Sequence, residues 1–347
     1  MNDSPRPTLL VGSVPLASAE DVFSMAGEVL GNRLRSIPDG ETGKRIHWCG
    51  WQKKVMDDAP FLSKARPEGA DGVAEGAGLG RYEVRGELAG ARFGKLGYSD
   101  AAIESYQTFA RLRDSGKIPK GVRFQVSLPT PLAPLTVMIQ PKDYEKVEPL
   151  YERAMREEVE AICEAIPSDD LAIQWDIANE IGILEGIPIL PNQETIFSNA
   201  RNEVLSRILK VVSWVPDGVA LGLHFCYGDY EHKHYIEPKD TRLMVDLANA
   251  IFRDASRKID WLHMPVPKER DDDAYFAPLA DLDLSKGTQL YLGLVHHTDG
   301  LEGGERRIAV AQRHVPSFGI ATECGLGRRP SQTIPDVMKL TAALASV

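Results

Sequence analysis

Eight short apolar runs, separated by longer amphipathic stretches, constrain the fold of this 347-residue chain more than any other feature. The runs are mostly apolar on both faces, as expected for parallel strands that are covered by helices. The stretches between them have apolar residues at three- and four-residue spacing, which predicts helices over 144–166, 195–215 and 240–255. The predicted strands are 8–13, 33–37, 122–127, 171–176, 219–226, 259–265, 289–295 and 318–323.

Eight strand–helix repeats indicate an α/β chain folded as a (β/α)8 TIM barrel, for which about 250 residues is a typical length. We predict one domain over 1–347, with the surplus residues forming an insertion at about 58–98, between the second and third strands. A hairpin is predicted at 81–88 within this insertion. The rival fold, a doubly wound open sheet, is disfavoured because no glycine-rich dinucleotide turn follows the first strand.

Composition narrows the class of function. Forty Lys and Arg against fifty Asp and Glu give a net charge of −10, and the absence of a basic cluster argues against nucleic acid as a partner. No apolar run approaches the roughly 20 residues that span a membrane, and the N-terminus does not resemble a signal peptide. Four cysteines are too few for a secreted disulfide scaffold. We therefore expect a cytoplasmic enzyme with small-molecule substrates, and homo-oligomer formation is left open.

The segment Leu-Gly-Leu-His-Phe-Cys-Tyr-Gly at 221–228 carries the strongest chemical signal. Side chains alternate along a strand, so His224 and Cys226 are predicted to point to one face. They stand at the carboxyl end of their strand, where barrel enzymes place their active sites. An imidazole and a thiolate there would form half of a tetrahedral zinc site. The alternative is a buried cysteine packed beside a hydrogen-bonded histidine.

Two later strands favour the metal interpretation. His263 ends the sixth predicted strand and Cys324 follows the last, so three strands of one barrel would bring four donors to a common point. Thiolates and imidazoles together select zinc over magnesium or calcium. We therefore predict a Zn²⁺ site formed by His224, Cys226, His263 and Cys324.

Other cysteines and histidines receive separate interpretations. Cys49 and Cys163 lie among apolar residues and are predicted to be structural. His232 and His234 are interpreted as loop residues that contact solvent or substrate.

Two histidines and an aspartate follow the seventh predicted strand, in the segment Val-His-His-Thr-Asp-Gly at 295–300. A His–Asp pair, His297 with Asp299, is a candidate proton donor to a leaving group. A purely structural role, with one histidine orienting the other or capping a loop, is equally open.

These motifs resemble the catalytic barrel of cobalamin-independent methionine synthase, in the superfamily that includes uroporphyrinogen decarboxylase. The matching segments are Val-Gly-Ser-Val-Pro at 11–15, Asp-Gly-Glu at 39–41, Ile-Gln-Trp-Asp at 173–176, His-Phe-Cys-Tyr at 224–227 and Glu-Cys-Gly-Leu at 323–326. The resemblance implies that Ser13 contacts the carboxylate of an amino-acid substrate, and that Glu41 and Asp176 hold its ammonium group. It also implies Zn²⁺ as the cofactor and a zinc-bound substrate thiolate that accepts the alkyl group.

The chain also departs from that family. The family has a glutamate as its third zinc ligand at the position of His263, and its folate-stacking tryptophan has no counterpart in 127–132. The prediction is therefore a zinc-dependent methyl or alkyl transferase with a thiol acceptor, resembling the methyltetrahydropteroyltriglutamate–homocysteine methyltransferase barrel without its folate-binding N-terminal domain. The alternatives are a zinc-dependent lyase acting on a C–S or C–O bond, a decarboxylase-like barrel without metal, and a non-catalytic barrel with a structural zinc.

Overall fold

A computed structural model describes residues 5–65, 81–187, 197–228, 234, 236–284 and 286–347. In this part of the chain, eight strands form one parallel sheet in the order β1-β10-β9-β8-β7-β6-β5-β2. A bridge between Thr8 and Leu34 brings the two ends of the sheet together, so the sheet curves into a barrel. The strands are β1 (Thr8–Leu9), β2 (Ser36–Pro38), β3 (Leu62–Lys64), β4 (Tyr82–Val84), β5 (Arg123–Pro129), β6 (Leu171–Ile177), β7 (Ala220–Phe225), β8 (Trp261–Pro265), β9 (Gln289–Val295) and β10 (Gly319–Thr322).

Helices follow the barrel strands and cover the outside of the sheet, which confirms the (β/α)8 prediction. The three long helices predicted from apolar spacing are α5, α7 and α8, and no helix among the described residues has the length and apolar character to cross a membrane. The α-helices are α1 (Ala19–Val29), α2 (Lys53–Asp58), α3 (Tyr98–Asp114), α4 (Leu132–Met138), α5 (Tyr144–Ala165), α6 (Asn179–Leu184), α7 (Ala200–Val212), α8 (Arg242–Asp254), α9 (Asp273–Phe276), α10 (Gly300–His314) and α11 (Ile334–Leu344).

The first strand is shorter than predicted, because side chains replace the strand hydrogen bonds beyond Leu9. The buried amide of Gln125 donates to the carbonyl oxygens of Leu10 and Val11, each at 3.1 Å. The amide of Gln174 donates to the Val11 carbonyl at 2.6 Å. These bonds satisfy the backbone inside the barrel without a regular ladder, and the chain is free to turn toward the mouth.

The hairpin predicted at 81–88 is wrong in its pairing. Strand β4 pairs antiparallel with β3, whose residues lie nearly twenty positions earlier. Tyr82 anchors the pair, because its ring is buried and its hydroxyl donates to Asp57 at 2.7 Å. The pair lies within the predicted insertion, whose boundaries at about 58–98 stay a prediction, and residues 66–80 lie outside the described part of the chain.

Large aromatic side chains fill the barrel interior below the mouth. Trp261 and Tyr291 pack with small residues from β6 and β10. Two glycines provide the space: a Cβ at Gly222 would lie 1.7 Å from the Trp261 ring, and one at Gly319 would lie 2.4 Å from Tyr291. Two residues beyond Gly222 and Trp261, the inward positions of β7 and β8 are His224 and His263. The aromatic layer therefore forms the floor on which the candidate site rests.

Candidate metal centre

Three polar residues lie side by side on neighbouring strands. Asp176 is the register partner of His224, and His224 is the register partner of His263. The adjacent residues Leu223 and Leu262 pack in the core outside the sheet, so the polar side chains face the barrel interior. All three are buried, with exposures of 8%, 2% and 0%. This row is a polar layer at the carboxyl ends of the strands, which is where barrel active sites form.

Two cysteine thiols approach the outer face of this layer. The sulfur of Cys226 lies 3.5 Å from the sulfur of Cys324, and the latter lies 3.6 Å from Nε2 of His224. The two cysteines do not form a disulfide, since their separation is well beyond a disulfide length of about 2.05 Å. The ligand atoms of His224, Cys226 and Cys324 all lie within 4.8 Å of one another. The structure thus brings together three of the four residues predicted to bind zinc.

The spacing of these donors suits a tetrahedral zinc ion. Zinc–sulfur bonds of about 2.3 Å and zinc–nitrogen bonds of about 2.05 Å place two sulfurs about 3.8 Å apart, and a sulfur and a nitrogen about 3.6 Å apart. The observed distances are 3.5 Å and 3.6 Å. Burial lowers the pKa of His224 well below its ordinary value, and His263 lowers it further. The imidazole is therefore neutral, which is the form that binds a metal.

The fourth predicted ligand, His263, lies on the far side of His224 from the thiols. Its Nδ1 is 2.7 Å from Nδ1 of His224, and its Nε2 is 3.0 Å from the carbonyl oxygen of Thr322. Burial lowers the pKa of His263 to about 4, so this ring is also neutral. In this arrangement both of its ring nitrogens face protein groups.

Two carboxylates face the centre across a pocket. Burial raises the pKa of Asp176 to about 7, although Gln174 and Trp48 donate hydrogen bonds to it. Burial, and then the charge of Asp176, raise the pKa of Glu41 well above its ordinary range. Glu41 and Trp48 both have left-handed backbone conformations, with φ of 49° and 54°. Such strain in non-glycine residues is concentrated at functional sites.

Ser13 joins the first strand segment to the loop that carries Cys324. Its hydroxyl accepts from the N–H of Gly327 at 3.2 Å, and its carbonyl accepts from the N–H of Leu326 at 2.7 Å. A Cβ at Gly325 would lie 2.5 Å from the Ser13 hydroxyl oxygen, so glycine permits this close approach. All the predicted substrate-binding residues, Ser13, Glu41 and Asp176, line one pocket together with the three donors.

A second pocket lies on the other side of the thiols. The two pockets share Cys226 and Cys324 in their walls. In the second pocket, Glu323 lies between two histidines: its carboxylate is 3.0 Å from Nε2 of His234 and 3.7 Å from Nδ1 of His296. The two thiols therefore lie between the two pockets, and the second pocket also contains the acid–base groups Glu323, His234 and His296.

The predicted catalytic pair, His297 and Asp299, lines neither of the two pockets. Asp299 makes a two-pronged ion pair with Arg307, at 2.7 Å and 3.0 Å, and is the N-cap residue of α10. His297 is half-buried, and among the described residues the second pocket is lined by His296 and Thr298 rather than by His297 or Asp299. The proton-donor role of His297 and Asp299 stays a prediction. His232 lies outside the described residues.

Some site residues carried a weak signal in the sequence. Glu323 ends the last predicted strand and His296 directly follows the seventh, so the sequence already placed these two residues near the mouth of the barrel. Glu180 is fully buried in α6, and its carboxylate accepts a short hydrogen bond from Thr130. Burial raises the pKa of Glu180 to about 7. The place of Trp48 in the site could not be predicted, because it depends on a turn with positive φ that no residue pattern indicates.

The fold is shared with solved proteins whose sequences are very different. A candidate vitamin-B12 independent methionine synthase from Listeria monocytogenes superposes with a TM-score of 0.59 at 14% identity, over 99% of this chain and 98% of that one. A B12-independent methionine synthase from Shewanella sp. W3-18-1, solved with selenomethionine, gives 0.57 at 15% identity, over 99% and 97%. A methyltransferase from Methanosarcina mazei gives 0.54 at 12% identity, over 100% and 94%.

This chain has their barrel. The suspected likeness to methionine synthase barrels is thereby confirmed for the fold, and the coverage shows that it extends over the whole length of both chains. No protein-family model matches the sequence, and no curated protein matches it. The function must therefore be argued from the site.

Proposed function

We propose that this chain is a zinc-dependent alkyl transferase, most simply a methyltransferase, with a thiol as acceptor. The observation that carries the proposal is the group formed by His224, Cys226 and Cys324 at the barrel mouth, with donor spacings that suit tetrahedral zinc. The likeness in fold to proteins described as methionine synthases and a methyltransferase supports the same class of reaction.

A zinc ion held by these donors would lower the pKa of a substrate thiol and keep its sulfur deprotonated near neutral pH. In the transfer, a sulfur electron pair forms the new C–S bond while the bond from that carbon to its leaving group breaks. The thiol proton is released, and the leaving group takes up a proton. The protein must therefore bind the acceptor beside the donors, hold the alkyl donor opposite it, and supply the second proton.

The first pocket suits an amino-acid thiol. Glu41 and Asp176 are two neighbouring carboxylates whose pKa values are raised by burial, so an ammonium group between them would offset the repulsion of their charged forms. The hydroxyl of Ser13 accepts from the Gly327 N–H, and its own hydrogen can donate to a carboxylate. The protein would then bind both the ammonium and the carboxylate of an amino-acid thiol while its sulfur lies beside the metal donors.

The second pocket suits the alkyl donor and its leaving group. Its two glutamate partners, Glu323 and then Glu237, raise the pKa of His234 to about 9 against the opposing effect of burial, so His234 is a cation at neutral pH. His296 donates from Nε2 to the carbonyl of Val266 at 2.8 Å, which leaves its Nδ1 facing Glu323. We assign proton transfer to the leaving group to these residues, with His297 and Asp299 as the alternative pair.

Metal analysis of the purified protein tests the proposal. We expect about one zinc per chain in the wild type and a loss of zinc in Cys226→Ser and Cys324→Ser, because each variant removes a thiolate donor. Cys163→Ser is the matched control, since that cysteine is half-buried in α5, and it should retain the metal. A screen of thiol acceptors with activated methyl donors then follows methyl transfer to sulfur. Wild-type protein purified without chelator that contains no zinc would refute the proposal.

A zinc-dependent lyase is the second candidate, because the acid–base groups around Glu323 could also protonate or deprotonate a carbon next to the bond that breaks. The two reactions differ in their requirement for an alkyl donor. Turnover of a single thioether or ether substrate without any donor would identify the lyase, whereas strict dependence on both substrates would identify the transferase.

A further inference from the structure

The hydrogen bonds of the buried pair His224 and His263 determine which ring nitrogen of each histidine carries a hydrogen. Nε2 of His263 lies 3.0 Å from the carbonyl oxygen of Thr322. A carbonyl oxygen only accepts hydrogen bonds, so this nitrogen carries a hydrogen. Both rings are buried, and an uncompensated charge is costly there, so His263 has one ring hydrogen and its Nδ1 has a lone pair.

That lone pair determines the state of the neighbouring ring. Nδ1 of His224 lies 2.7 Å from Nδ1 of His263, a distance at which one of the two atoms must donate. His224 therefore carries its single hydrogen on Nδ1, and its Nε2 has the free lone pair. This Nε2 is the atom that lies 3.6 Å from the sulfur of Cys324. These hydrogen bonds form a relay that runs from the carbonyl of Thr322 through His263 to His224. Because Thr322 lies two residues before Cys324, the relay connects β10, β8 and β7.

We propose that His263 is a positioning residue rather than a metal ligand: it fixes the ring orientation and the Nδ1–H tautomer of His224, and so presents Nε2 to the metal. This inference rests on the proposed function in so far as it concerns metal. The centre then has three protein donors, and the fourth position of a tetrahedral ion is left to substrate, as in catalytic zinc sites. Outer hydrogen bonds of this kind orient metal-binding histidines and raise their basicity.

Two variants separate positioning from ligation. His263→Asn places an amide oxygen near the site of Nδ1, so it keeps an acceptor for His224 while offering only a weak zinc ligand. His263→Leu removes the acceptor. If His263 positions His224, the Asn variant should retain zinc affinity within a few-fold, and the Leu variant should lose about 10- to 100-fold. If His263 were a ligand, both variants would lose affinity to a similar extent.

Three measurements read the outcome without relying on activity. Chelator competition gives the zinc affinities. X-ray absorption at the zinc edge should count two sulfurs and one imidazole in the wild type. Nitrogen NMR of the metal-free protein with labelled histidine, eight per chain, should show His224 as the Nδ1–H tautomer in the wild type and the Asn variant, and not in the Leu variant. A His224→Gln variant assigns the signal, and circular dichroism confirms that each variant folds.

Each result supports or overturns a separate statement. Two imidazoles at the zinc edge, or equal losses of affinity in both His263 variants, would overturn the positioning role. An Nε2–H tautomer of His224 in the metal-free wild type would overturn it as well, whether or not zinc binds. A wild-type protein that binds no zinc but shows the Nδ1–H tautomer would overturn the proposed function while leaving the hydrogen-bond relay in place.

Discussion

Asp299 gives a direct test of whether the predicted catalytic pair acts in chemistry or in folding. Its carboxylate contacts the guanidinium of Arg307, whose side chain is 1% exposed. Arg307 also donates to the carbonyl oxygens of Leu294 and Lys268, so it ties α10 to β9 and to the loop after β8. The carboxylate is thus the counter-charge of a buried cation. We expect its loss to affect stability much more than turnover.

The magnitude follows from the burial of the arginine. Removing one partner of a buried ion pair costs about 3–5 kcal/mol, and we take the lower end for Asp299→Asn because the amide oxygen still accepts a hydrogen bond. With an unfolding entropy of about 2.1 cal/mol/K per residue, 347 residues give about 0.7 kcal/mol/K. A loss of about 3 kcal/mol therefore lowers the melting temperature by about 4 °C.

Thermal unfolding followed by circular dichroism measures this shift. Glu302→Gln is the matched control on the same helix: Glu302 pairs with Arg306 at the surface with 88% exposure, and such pairs contribute about 0–1 kcal/mol. His297→Ala tests the other half of the predicted pair. At a temperature below unfolding, Asp299→Asn should keep its zinc and turn over within a few-fold of the wild type. An unchanged melting temperature together with a hundred-fold loss of turnover would refute this reasoning and restore the catalytic role of Asp299.

Three further predictions concern packing and buried charge in the barrel and its covering helices. The pKa of Glu180 is raised to about 7 by burial, so the folded state favours its protonated form and wild-type stability falls as pH rises from about 4.5 to 7. Glu180→Gln should remove this dependence and gain about 3 kcal/mol over the wild type at pH 8, measured by urea unfolding at pH 5 and pH 8, and an equal gain at both values would contradict it. Gly222→Ala places a methyl group on the Trp261 ring and should cost at least about 1–3 kcal/mol in chemical denaturation, with partial rescue by Trp261→Phe; a neutral Ala variant would show that the barrel floor is loosely packed. The Glu158 carboxylate accepts from three backbone N–H groups at the start of α3, so Glu158→Gln should lose about 2–3 kcal/mol, while the exposed Glu157→Gln should lose under 1 kcal/mol.

The strand period made much of the fold and part of the site predictable. All eight barrel strands were located because parallel strands buried on both faces are compact apolar runs. Within β7 and the residue after it, alternation places His224 and Cys226 on one face, and both line the first pocket. These predictions depend only on local geometry, which a single segment of sequence contains.

Features that depend on contacts between segments were not predictable. The register of β10 against β9 shifts between Ile320 and Thr322, so strand alternation no longer fixes the direction of Cys324. Its position depends instead on the contacts of the following glycines with Ser13. Likewise, a histidine at a strand end has the same pattern whether it binds a metal or a second histidine. The positioning role that we propose for His263 depends on the Thr322 carbonyl on its other side, which lies on a different strand.

A histidine rather than a glutamate at position 263 is consistent with the charges around the pocket. In the proposed zinc centre, two thiolates would balance Zn²⁺, so a centre of His224, Cys226 and Cys324 would be neutral before substrate binds. A glutamate ligand would add a negative charge near Glu41 and Asp176, whose pKa values are already raised by burial. With a neutral histidine in that position, the first added charge would be the substrate thiolate itself, and an ammonium group on the same substrate would offset it. The centre would then hold a less electron-rich sulfur than a glutamate-ligated one, and we expect it to require a more activated alkyl donor.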